Sequence, residues 1–90
     1  MAIAKYDFEA MREQASKVTK GASDLSALIK TIDQAVNEMK DAWNDPAQKK
    51  FEQQWIEMSA KLKEYVPVIE DYGKAVNAHA QKVEDAGKGI

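Results

Sequence analysis

The sequence predicts an all-α fold: a long antiparallel two-helix hairpin, with helices over about 8–43 and 46–86, that dimerises into a four-helix bundle. Three observations carry this reading. Apolar side chains recur in alternating steps of four and three along both halves of the chain. A single short stretch of turn chemistry, WNDPAQ, separates the halves. The flanks of the two apolar stripes carry further apolar or small residues that one hairpin cannot cover by itself.

The first helix is marked by its spacing and its start. Met11, Ala15, Val18, Ala22, Leu25, Ile29, Ile32, Val36, Met39 and Trp43 form one heptad seam. Asp7 is placed to cap it, Glu9 stands in the first turn near the positive end of the helix dipole, and Tyr6 and Met11 occupy the two positions of a hydrophobic staple.

At the break, Asn44 is a residue type that takes the left-handed conformation ending a helix. Asp45 can cap the next helix, with Pro46 at its first position and Gln48 completing an Asp-x-x-Gln capping box. A connection this short makes the helices antiparallel neighbours, each on the order of 55 to 60 Å long at 1.5 Å per residue.

The second helix resumes the rule through Phe51, Trp55, Met58, Leu62, Tyr65, Ile69, Tyr72, Val76, His79, Val83 and Ala86. Glu57 with Lys61, Glu70 with Lys74 and Glu84 with Lys88 have the favourable acid-first spacing on its outer surface. Pro67 lacks an N–H, but its angular position points away from the seam, so the carbonyl of Lys63 left without a donor faces water and the helix bends without ending. Gly73 is a second weak point, and Gly87 and Gly89 end the helix.

Ninety residues make one domain, 1–90, with short flexible ends at about 1–6 and 87–90, and a chain of this size has a thin core. Thirteen Lys plus Arg against fifteen Asp plus Glu give a net charge of -2, which provides no general attraction for nucleic acid or anionic lipid. No cysteine occurs, so neither a disulfide framework nor a thiolate site is available. No window approaches the roughly 20 apolar residues of a membrane span, and the opening MAIAKYDFEAM lacks a basic start followed by an apolar run. Neither direct membrane insertion nor a cleaved signal peptide is expected.

The flanking residues point to a shared core. Gly21, Leu28, Ala35 and Ala42 on the first helix, with Val66, Val68 and Gly73 on the second, form the candidate dimer interface, against the plainer reading that they broaden an intramolecular contact. Catalysis finds no constellation. The serines have no histidine and acid at meaningful spacing, so no enzyme activity is expected. A di-metal bundle needs inward Glu residues and a Glu-x-x-His pair, whereas residue 76, three before His79, is Val; no metal site and no cofactor are expected. His79 reads as a core-edge residue near Phe8 or Met11, and Trp43 and Trp55 as large rings closing the turn end of the hairpin.

With Trp43 followed eight residues later by Phe51 and four further by Trp55, the chain resembles the WXG family of small type VII (Esx, ESAT-like) secretion substrates over nearly its whole length. Members carry a Trp-x-Gly turn between two long antiparallel helices; here the turn reads Trp43, Asn44, Asp45, with aspartate in the glycine position. The resemblance implies a small non-enzymatic protein exported as, or together with, a dimeric partner, either its own copy or a related hairpin. It implies secretion without a cleaved signal, from a cytoplasmic pool, with a type VII secretion ATPase or a toxin as further partners. It also implies that the turn of one protomer joins the tail of another in a composite surface, to which Trp43, Asn44 and Asp45 are the residues carried over. The family's Tyr-x-x-x-Asp/Glu export motif has no match, since Tyr65 and Tyr72 are followed four residues on by Ile69 and Val76. Two other readings stand beside this one: a cytosolic targeting partner or chaperone for a larger type VII toxin, and a helical-hairpin RNA-binding regulator. The latter needs a basic face that the interspersed acids do not provide.

Overall fold

A computed structural model describes residues 6–88; of the flexible ends expected at about 1–6 and 87–90, residues 1–5 and 89–90, with the stop at Gly89, lie outside the described residues. Helix α1 runs Phe8–Ala42 and helix α2 runs Pro46–Lys88, and no strand occurs among the described residues. The hairpin measures 69 × 23 × 16 Å. Asp7 caps α1 as its chemistry predicts, its Oδ1 accepting the backbone N–H of Ala10 at 3.0 Å. Tyr6 stacks on Phe8 at 5.9 Å between ring centroids and lies 6.1 Å from His79, which ties the start of α1 to the far part of α2.

Two expectations about α2 meet different outcomes. The helix is continuous through Pro67, which is exposed, as its outward angle requires. It also continues through Gly87 to Lys88, two residues past the expected end at 86. Glycine stops a helix chiefly by taking positive φ, and no described glycine does so here. Neither Glu57–Lys61 nor Glu70–Lys74 closes an ion pair among the described residues, and Glu57 instead accepts from the Gln53 amide at 3.4 Å. Such exposed pairs contribute too little to fix two long side chains.

The seam itself is rotated from the one that bulk hydrophobicity picks out. On α1 the buried apolar residues are Ala15, Ala22 and Ile29; on α2 Gln48, Ser59, Gly73 and Ala80 are buried, beside half-buried Trp55, Leu62, Val66, Ile69 and Val76. The column Phe51, Met58, Tyr65, Tyr72 and His79, expected inside, is exposed. Small side chains decide this outcome because they let the two backbones approach closely. At Gly73 an added Cβ would stand 2.5 Å from Thr19 Cγ2 and 3.0 Å from the Ala15 carbonyl oxygen. Ser59 is satisfied within its own helix, donating to the Ile56 carbonyl at 3.1 Å, so its burial leaves no polar group unpaired.

Candidate functional site

The turn is built differently from its expected chemistry and reaches the same reversal. Trp43 leaves the helix in extended conformation (φ -151°, ψ 114°) while its N–H still donates to the Met39 carbonyl at 2.8 Å. No described residue has positive φ, so Asn44 is not left-handed; the extended step at Trp43 ends α1 without one. Asp45 caps α2, its Oδ1 accepting the Gln48 N–H at 2.9 Å. The reciprocal half of the capping box is replaced, because the buried Gln48 side chain donates forward to Glu52 Oε2 at 3.1 Å. The Gln48 N–H, and after it the Trp43 indole, hold the Asp45 carboxyl below its ordinary value. The Trp43 ring lies tilted against Phe51 at 6.0 Å and remains 38% exposed at the tip. Trp43, Asn44 and Asp45 therefore form one exposed surface patch, ordered by a cap and an aromatic contact.

The two sides of the helix pair differ in chemistry. Along one edge the helices are joined by polar bridges. Arg12 donates to Glu84 at 2.5 Å and to Gln81 at 3.2 Å, Lys40 pairs with Glu52 at 3.3 Å, and Asp33 accepts the Trp55 indole N–H at 2.7 Å and pairs with Lys63 at 3.2 Å. The Trp55 indole first, then Lys63, hold the Asp33 carboxyl below its ordinary value, and the Gln48 amide, then Lys40, do the same for Glu52. The Asp33–Trp55 bond escapes the hydrophobic spacing rule, which assigns Trp55 only a packing role. The available signal was the seven-residue series Arg12, Asp33, Lys40 beside the α1 seam, with the opposing charges Lys63 and Glu84 in one column of α2.

Along the other edge lies an open apolar face. From α1 it presents Met11, Val18, Leu25, Ile32 and Met39, and from α2 Phe51, Met58, Tyr65 and Tyr72; Tyr72 is 63% exposed. A groove of about 510 Å³ opens in it between Met11, Val18, Tyr72 and Val76. The seven residues singled out by sequence divide between this face and the interior. Gly21, Leu28, Ala35 and Ala42 lie exposed in the next column of α1, with Leu28 at 59%, and Val68 is exposed beyond the Tyr65 column. Val66 is half-buried and Gly73 buried in the contact between α1 and α2. The columns of Met11 and Phe51, read as inner seam, lie on the open face.

Among the described residues no three His, Asp or Glu side chains come together in a way that could hold a metal ion, and no helix is long and apolar enough to cross a membrane. A family model described as proteins of 100 residues with WXG matches residues 4–88. The type VII secretion system extracellular protein A of Staphylococcus aureus (strain USA300) is 22% identical over 85 residues, covering 94% of this chain and 88% of that protein. The fold of Geobacillus thermodenitrificans EsxA matches with a TM-score of 0.89 at 20% identity, over 100% of this chain and 97% of that one. The secreted protein EsxB of Bacillus anthracis str. Sterne matches with a TM-score of 0.81 at 21% identity, over 97% of this chain and 99% of that one.

Proposed function

The chain belongs to the WXG100 family, and from that premise we propose that it is a small, non-enzymatic helical hairpin of type VII secretion, exported with a second hairpin held against its open apolar face. The observation that carries this is the unequal closure of the two edges. One edge is sealed by Arg12–Glu84, Asp33–Lys63 and Lys40–Glu52, while the other leaves Met39, Phe51, Met58, Tyr65 and Tyr72 in water. A protein of this size exposing so continuous an apolar strip is built for a protein partner. The second hairpin, its own copy or a related one, completes a four-helix bundle.

In this reading the exposed tip of Trp43, Asn44 and Asp45 is a contact for the export machinery or for the tail of a companion. A cytoplasmic pool precedes export. The test is fractionation of producing cells. The chain is expected in the culture medium, and expected to vanish from it when the secretion ATPase is deleted. Retention of the chain in the pellet, bound to a larger protein whose own export depends on it, would replace this reading with that of a targeting partner.

A further inference from the structure

All three methionines among the described residues stand on the open apolar face, Met39 46% and Met58 53% exposed and Met11 half-buried. None is among the buried side chains, which are Ala15, Ala22, Ile29, Gln48, Ser59 and Ala80. The chain contains no cysteine, so its sulfur chemistry is that of thioethers alone, and the fold turns them away from the contact between α1 and α2. The cross-helix contacts Lys40–Glu52 and Thr19–Gly73 set the register of the helices and place Met58 level with Gln34, between Ile32 and Met39. Met39 and Met58 therefore share one half of the face, about 8 Å apart along the axis at 1.5 Å per residue. Met39 lines a hollow of about 140 Å³ with Trp43 and Phe51, and Met11 lines the groove of about 510 Å³ with Tyr72 and Val76.

We propose that Met39 and Met58, with Met11 as a slower third, are a peroxide-sensitive modification site that decides whether the open face can be covered. The proposal rests on the exported-hairpin reading, in which a second hairpin lies on that face. The thioether sulfur attacks one oxygen of hydrogen peroxide; an S–O bond forms as the O–O bond breaks, and the departing oxygen takes up the proton and leaves as water. Sulfur loses the two electrons that the peroxide gains. The sulfoxide product turns a flexible apolar side chain into a polar one, and covering it with apolar surface leaves its oxygen without the hydrogen bonds it has in water. The buried contacts of the hairpin offer no sulfur to this reaction, so oxidation acts on the pairing and spares the seam between α1 and α2. While the face is covered the sulfurs are shielded; once it is free they are open. A hairpin oxidised after release is thereby kept from being covered again until a methionine sulfoxide reductase restores the thioether.

Leu25 and Ile32, in the same column of α1 as Met11 and Met39, show that this face accepts side chains without sulfur, and leucine conserves the volume of methionine. The test treats the assembly purified from producing cells with hydrogen peroxide, follows its mass by sedimentation, and maps the sulfoxides by mass spectrometry of peptides. The native assembly is expected to dissociate, its Kd rising about tenfold for each covered methionine oxidised. The Met11→Leu/Met39→Leu/Met58→Leu variant, which retains Met1, is expected to stay assembled under the same treatment. In the free native chain Met39 and Met58 are expected to oxidise before Met11, and all three to slow several-fold in the assembly. An oxidised native assembly that keeps its mass, or a leucine variant that comes apart in peroxide as readily as the native one, overturns the switch and leaves the exported-hairpin reading standing. Should the leucine variant not assemble, the shielding decides alone, and equal oxidation rates in the free and assembled native chain overturn the switch. A native chain that carries no second hairpin at any concentration overturns the pairing and the switch together.

Discussion

Gly73 shows how a residue that weakens its own helix can strengthen the molecule. Helix propensity by itself favours alanine over glycine by about 1 kcal/mol. At this position, however, the added methyl would meet Thr19 Cγ2 at 2.5 Å and the Ala15 carbonyl at 3.0 Å, and the second of these is backbone. Overpacking of this kind costs about 1–3 kcal/mol, more than the propensity gain. Gly73→Ala is therefore expected to lower the melting temperature, whereas Gly87→Ala, in the last turn of α2 where nothing lies within 4 Å, is expected to raise it. Calorimetry of the two variants side by side checks the sign. Asp33 is the second residue whose role depends on its neighbour across the seam. Its folded carboxyl is held below the ordinary 3.8 by the Trp55 indole and then Lys63. A depressed carboxylate stabilises the fold fully above its unfolded pKa, and that contribution is lost as pH falls through the folded pKa. The same holds for Asp45 and Glu52. Stability is thus expected to be flat near neutrality and to fall below about pH 4. Asp33→Asn should lower the melting temperature at pH 7 and change it much less at pH 2; an equal loss at both values would show that the carboxylate charge plays no part.

At the scale of the helices, the ends and the interruption of α2 set its stability. Asp45 caps the N-terminus of that helix through the Gln48 N–H, and removing such a cap costs about 0.5–2 kcal/mol. Asp45→Ala is expected to lower the denaturation midpoint by a corresponding amount, and Asp45→Asn, which keeps the acceptor, to recover most of it. Pro67 is the opposite case. It sits exposed inside a continuous helix, so Pro67→Ala restores a donor for the Lys63 carbonyl with no seam contact to lose. The variant should unfold at higher denaturant; a lower midpoint would mean that the ring packs against something in the folded protein. Both caps, the helix types and the outward angle of Pro67 were legible in the sequence, since each depends on side chains within four residues of one another. The end of α1 was less so. Asn44 has the chemistry for a left-handed stop, yet an extended Trp43 meets the same need, and the choice between them is set by where the indole finds Phe51 across the turn.

At the scale of the molecule, the heptad rule located both helices but not which of three adjacent columns faces inward. Hydrophobicity ranks Phe51, Met58 and Tyr65 above Ser59, Gly73 and Ala80, whereas close approach of two helices ranks them the other way. The consequence for stability is considerable. The buried apolar core of the described hairpin is Ala15, Ala22, Ile29 and Ala80, with no large side chain completely enclosed. Most of the burial that a bulky apolar column can provide, about 1.5–3 kcal/mol per large side chain, becomes available only when the open face is covered. Folding and association are then one equilibrium, and the melting temperature must depend on protein concentration. It is expected to rise by several degrees over a hundredfold increase in concentration, and the transition should sharpen as mass action favours the assembled form. Leu28→Glu places a charge on that face at a residue 59% exposed in the single hairpin. It should lower the melting temperature and remove the concentration dependence together, because both have the same origin. A variant that loses the dependence but keeps the full melting temperature would show that the small-residue seam suffices by itself, and that the second hairpin contributes recognition without stability.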